Sequence, residues 1–405
     1  MRKLSHWLFA IAVVAIGCDG GGNTTLSGGT GGGDDGAGNS SNDGGSTGAG
    51  NSNQGGDTGQ GGNPDPIDPA LAAREVDYNE ALRTASVKLV RHLPTLAQIK
   101  KIQDATDQKQ AYTEEVDAML ASPEFDARMI KFWRDTMRMG GNDLDTAPVL
   151  AAKLMAENRP FTEIFTASTG NCPTYDAAAG TFADADCQSG APVQAGVLTN
   201  PAVMKQFYGN MAFRRVRWLQ EIFYCSKFPA EVAATPKQID GKDFTSPWEF
   251  STVSTTPINF QDTQSVVCAN CHTTLNHIAP AFANFDENGM WQNQIAVNTP
   301  IAPQPVKSEL SHWLSNTGDS LAWRQGEPIT NLSDLATVLA DDPAVSECLV
   351  ARMWNFAMSK EDIVTDLATV PYSVVEPHII KFDSNGQNLK AVLRDIVLSD
   401  DFVSF

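Results

Sequence analysis

A mainly α-helical body is predicted for this chain of 405 residues. Three observations lead there. Apolar residues recur at helical spacing in successive stretches. Helix punctuation falls between them, as at Pro94 and at Ser122-Pro123-Glu124. No segment sustains the two-residue alternation of a half-buried strand.

The elements follow in order. Residues 1–17 read as a lipoprotein signal peptide: Arg2 and Lys3 precede an apolar run of ten, Trp7 to Ile16, too short to span a bilayer. Ala15-Ile16-Gly17 leads into Cys18 as in a bacterial lipobox, so Cys18 is the expected lipidation site. Residues 18–63 are rich in Gly, Ser, Asn, Thr and Asp and contain no Lys or Arg, the composition of a flexible tether. As a Gly-rich coil its reach is roughly 35–40 Å. The formal net charge of −19 argues against nucleic acid and against electrostatic docking on anionic lipid.

An N-terminal helical domain is expected over 64–245. NEALRTASVKLVRHL places Leu82, Val87, Val90 and Leu93 near helical spacing before Pro94. Thr95 opens the next helix. Ser122-Pro123-Glu124 reads as an N-cap, a proline at the first helical position and an acid at the positive helix end. Phe125, Met129, Phe132, Trp133 and Met137 then form one broad apolar face, read as core. Residues 160–200 are loop-rich, and MKQFYGNMAFRRVRWLQEIFYC is a long helix or a pair divided at Gly209. Its Arg214, Arg215 and Arg217 read as a solvated or ion-paired face, with haem propionates or an acidic neighbour as the sharper alternative. A second domain, 246–405, carries helices at SDLATVLADD, VSECLVARMWNFAM and LKAVLRDIVLSDDF. DENG (286–289) and DSNGQN (383–388) lack the sixth-position Gly and terminal Glu of a calcium loop and read as turns feeding helices.

Chemistry concentrates at 268–272, CANCH. In an exported chain Cys268 and Cys271 stand three apart, as thiols must to add to the vinyl groups of one haem c, and the adjacent His272 supplies the proximal iron ligand. Zinc would need a second Cys/His pair, and a thioredoxin-like disulfide a βαβ setting; neither is present. With Cys18, Cys268 and Cys271 so engaged, four of the seven cysteines remain. Cys172 with Cys187 across a short polar loop is the simplest bridge, which leaves Cys225 with Cys348. Sequence alone admits three pairings.

The stretch CANCHTTLNHIAPAFANFDENGMW resembles the haem segment of planctomycete-type cytochrome c proteins, bacterial envelope proteins assembled from domains of unknown function. The resemblance rests on C-x-x-C-H followed by Asn284-Phe285-Asp286 and Gly289-x-Trp291. It extends to LASPEFDARMIKFW, AGVLTNPAVM, the helix from Arg215 to Cys225, LADDPAVSECLVARMWNFAM and LRDIVLSDDF, most of 85–405. It implies one covalent haem c on a C-terminal cytochrome c-like segment. Departures at His277, Pro280, Met290 and Met358-Ser359-Lys360 fall on what faces the iron opposite His272. Met290 is the first candidate there and Met358 the second, ahead of His312, Met353, Met204 and Met211; a vacant position is the alternative. His277 is too near His272 in sequence to reach the other haem face.

The expected function is electron transfer at the bacterial cell envelope by a monohaem cytochrome, anchored through its N-terminal lipid to the outer membrane or the periplasmic face and serving a redox partner protein. The alternatives are a haem enzyme with an open sixth site and a structural surface lipoprotein.

Overall fold

The computed structural model describes residues 73–209, 212–226, 275, 277–297, 306–308, 321–323, 327–362 and 369–405. The chain divides into two units, Met1–Pro66 and Ile67–Phe405. Cys18, the signal peptide and the tether lie outside the described residues, as do the 245/246 boundary, Cys268, Cys271, His272, Met211 and His312.

The second unit is mainly helical. Asp77 caps α1 (Tyr78–Val90) by accepting from the amides of Asn79 and Glu80. The buried face of α1 is Ala81, Leu82, Ala85, Leu89 and Val90, whereas the predicted stripe members Val87 and Leu93 are exposed. Small alanines carry the contact, and they give less hydrophobic signal than the valine facing out. Thr95 and Gln98 form a capping box at the start of α2 (Leu96–Gln103). After α3 (Gln108–Leu120), Ser122 caps α4 (Pro123–Met137) through the Phe125 amide, with Pro123 at its first position. Phe125, Met129, Trp133 and Met137 are buried as predicted. Trp133 stacks on Phe161 with centroids 4.9 Å apart and donates to the Met155 sulfur.

Helix α5 (Thr146–Ala156) packs against α4. Sequence reading passes over it because TAPVLAAKLMA is apolar around most of its circumference, and its residues from Ala147 to Met155 are all buried. The short α6 (Glu163–Thr166) leads to the hairpin β1 (Thr174–Asp176) and β2 (Thr181–Ala183), closed by the disulfide Cys172–Cys187. A 3₁₀ turn, Gly196–Thr199, feeds α7 (Pro201–Gln206), and α8 (Phe213–Phe223) follows, so the stretch around Gly209 is a helix pair.

Residues 277–282 are helical. Beyond them two further hairpins, β3 (Ile295–Val297) with β4 (Val306–Ser308) and β5 (Ala322–Trp323) with β6 (Glu327–Pro328), precede α9 (Leu332–Asp341), α10 (Pro343–Ala357), α11 (Tyr372–Ser384), α12 (Leu389–Val397) and α13 (Asp400–Val403). Helix α11 carries Pro377 in its interior, which disguised it as a break.

Elements from both sides of residue 245 share one core. Helix α10 packs on α11, α12 and α1; Tyr112 of α3 donates to the Val397 carbonyl at 2.9 Å; and Glu75 exchanges both main-chain hydrogen bonds with Phe405. Cys225, just past α8, is joined to Cys348 of α10. Among the described residues no helix is long and apolar enough to cross a membrane.

Candidate functional site

The described structure resumes three residues after His272, at Leu275, which is buried. From there to Trp291 the chain is held by three devices, each built from a stretch that the sequence had singled out.

The first is Arg215. Helix α8 turns its guanidinium inward, and at 1% exposure the side chain is fully buried. It makes five hydrogen bonds to four main-chain oxygens: Nε and Nη2 donate to Met204, Nη1 to Phe282 and Phe285, and Nη2 also to Asp286. Met204 lies in the last turn of α7, and Phe282 ends the 277–282 helical segment, so these carbonyls lack intrahelical partners. Arg215 thus satisfies the loose ends of two segments at once. Burial pushes its guanidinium down to about 10, which leaves it charged at neutral pH. The rings of Tyr208 and Phe285 lie 5.5 and 5.8 Å from it.

This corrects the expectation of a solvated arginine face. Arg217 does pair with Glu221, but Arg215 faces the core and Arg214 donates to the Tyr208 carbonyl. Three arginines in four positions look alike on charge alone, and only the packing of α8 distinguishes the inward one. Glu221, itself buried, is also paired with Arg138.

The second device is the Asn284-Phe285-Asp286 to Gly289-x-Trp291 turn. Asp286 Oδ1 accepts from the amides of Asn288 and Met290, and its Oδ2 accepts from Gln292 Nε2. Asn284 and Gln292 bond to each other at 2.7 and 2.8 Å, and Phe285 meets Trp291 edge-to-face at 5.2 Å. Gly289 has φ +77°, and a Cβ there would stand 2.1 Å from the Pro201 carbonyl oxygen. No other residue type fits. The motif closes a turn leading into a β-bridge, Phe285 with Trp291, rather than into a helix.

The third device is the disulfide loop. The Trp291 amide donates to Ser189, two residues past Cys187, whose own amide is held by Asn171. Asn200, fully buried, caps α7 through the Ala202 amide, accepts from Thr146 Oγ1 and donates to the Asn171 carbonyl. AGVLTNPAVM, the Arg215 helix and the NFD/GxW turn therefore converge on one place.

Cys172–Cys187 and Cys225–Cys348 are both formed, the pairing that a local first bridge implied. They account for four of the seven cysteines and leave Cys268 and Cys271 without a partner cysteine other than Cys18 or each other.

The candidates for the opposite haem face are distributed unequally. Met204 and Met353 are fully buried in the core. Met358 is half-buried against it, and His277 is buried on the 277–282 segment. Met290 alone among these is exposed, at 37%, with its amide fixed by Asp286. Among the described residues no three His, Cys, Asp or Glu side chains gather as a metal site.

Residues 70–166 match the family model PSCyt2, a protein of unknown function (DUF1549), and residues 194–295 match PSCyt3, a protein of unknown function (DUF1588). The second match spans CANCH, the Arg215 helix and the NFD/GxW turn. No curated protein and no solved structure matches the chain.

Proposed function

We propose, from the premise that the chain belongs over 70–166 and 194–295 to the planctomycete cytochrome c domain families, that it is a monohaem c-type cytochrome acting in electron transfer at the bacterial cell envelope. The observation that carries the proposal is the cysteine pairing. Both disulfides form among the four cysteines outside the motifs, which leaves Cys268 and Cys271 outside these bridges and supports their use in thioether bonds. Cys, Cys and His in this order are the donor set of a covalent haem with a proximal imidazole.

The residues have separate tasks. Cys268 and Cys271 would tether the group, and His272 would present its imidazole nitrogen to the iron. Haem so bound supplies one-electron exchange at a potential set by its axial ligands and burial. Arg215, Asp286 and Gly289 hold the chain from Phe282 to Met290, ten residues and more past the motif. Met290 is the proposed residue for the opposite face, since its thioether is accessible and its main chain is fixed. Cys18 would carry the lipid, and residues 18–63 would let the body reach a redox partner protein.

A pyridine haemochrome spectrum on the full chain, produced with c-type maturation machinery, tests this. One covalent haem per chain, lost in Cys268→Ser, Cys271→Ser and His272→Ala, is the expected result. A chain without a covalent haem band under those conditions sinks the proposal. Loss of the far-red methionine–ferric haem band in Met290→Ala would assign the sixth ligand; an unaltered spectrum would exclude Met290 from it. Palmitate labelling abolished by Cys18→Ser would establish the anchor.

A further inference from the structure

A cavity of about 280 Å³ opens between α1, α4 and α10, within the helical body. Its floor is Phe356, with Phe132 set edge-on at a centroid distance of 5.0 Å. Two cations stand over that floor. Lys88 Nζ lies 5.7 Å and the Arg128 guanidinium 5.0 Å from the Phe356 centroid. Arg128 Nε donates to the Lys88 carbonyl at 3.0 Å, which holds the two charges side by side.

Two of the three wall carboxylates are paired elsewhere. Asp135 is taken by Lys131 and Asp362 by Arg352, while Glu361 sits at the exposed rim beside Lys360. Among the described residues neither Lys88 nor Arg128 makes an ion pair, and neither Nη of Arg128 has a hydrogen-bond acceptor. Burial holds both groups below their ordinary pKa, and Arg128 depresses Lys88 further. Adjacent like charges, half-buried and with only Asp135 acting on Arg128 from a distance, disfavour one another. The Phe356 ring offsets part of that, and an anion would remove it.

The geometry also selects the kind of anion. The unengaged edge of the Arg128 guanidinium suits the two oxygens of a carboxylate. The space is larger than an inorganic ion requires, and its aromatic walls favour an apolar body. We infer that this cavity binds a small organic carboxylate, its charge held by Lys88 and Arg128 and its apolar body laid against Phe132 and Phe356. This does not depend on the haem reading.

Benzoate titrated into the full chain by calorimetry tests the site, with benzamide as the uncharged control and inorganic phosphate as the control without an apolar body. Saturable binding of benzoate, weakened about tenfold or more in both Lys88→Met and Arg128→Gln, is expected, since each removes a charge-assisted contact. Arg128→Gln also removes the bond to the α1 main chain; Lys88→Met does not, and matching melting temperatures keep its result readable. The proposal is overturned by the absence of saturable benzoate binding, by benzamide or phosphate binding as well as benzoate, or by a benzoate affinity in either variant equal to that of the natural chain.

Discussion

Arg215 Nη1 donates to the carbonyl of Phe282 at 2.8 Å across 67 residues of sequence, and its four further bonds fasten α7 and the NFD turn to the same point. Arg215→Met would remove five hydrogen bonds from four main-chain oxygens, of which those of Phe282 and Asp286 keep only the turn amides of Phe285 and Gly289. A loss on the order of 3–5 kcal/mol is expected in urea unfolding. Arg215→Lys should recover only part of it, because one ammonium cannot reproduce the planar fork. Equal stability of the Lys variant and the natural chain would show that the fork is not what holds the turn.

Gly289→Ala sets a methyl group against the Pro201 carbonyl in a backbone conformation with φ +77°. The main chain on both sides would have to move. We expect a destabilisation of about 2–4 kcal/mol and earlier proteolysis within 275–297. A variant that melts with the natural chain would mean that the turn is not seated on α7.

The two disulfides close loops of very different length, with separations of 15 and 123 residues. In chain-entropy accounting they contribute about 3 and about 5 kcal/mol respectively. The double variant Cys225→Ala/Cys348→Ala should therefore lose more stability than Cys172→Ala/Cys187→Ala in denaturant titrations. The reverse order would show that loop length is not the controlling factor. Mass mapping of the reduced and alkylated protein would check the pairing itself.

Asp126, half-buried in the first turns of α4, has its carboxyl pushed up from 3.8 to about 6 by burial, opposed by Lys390 and reinforced by Glu157. Its folded value lies above its unfolded value, so the native state binds the extra proton between these limits. Stability therefore falls as pH rises from about 4 and the penalty is complete above about 6. Discounted for solvent screening, it amounts to about 1 kcal/mol. Asp126→Asn should be more stable than the natural chain by that amount at pH 7, and the difference should vanish near pH 4 in thermal melts. A constant offset across that range would exclude titration of Asp126 as the cause.

What the sequence alone determined was local. Helix punctuation at Thr95 and Ser122, the buried face Phe125, Met129, Trp133 and Met137, and the Cys172–Cys187 bridge all involve residues close together in the chain. Capping chemistry and helical periodicity act over such distances, so they are visible in the letters. CANCH is legible for the same reason, as three donors within five residues. Where local pattern misleads, the helices are the atypical ones: α5 has no polar face to mark its period, and α11 contains a proline.

Tertiary structure decided which of three neighbouring arginines is buried, why Gly289 must be glycine, and that Lys88 and Arg128 share a cavity over Phe356. Arg215 and Asp286 lie 71 residues apart. Such relationships depend on the close approach of distant main-chain segments and on how much water packing removes from a charge. Neither leaves a periodic trace in the sequence.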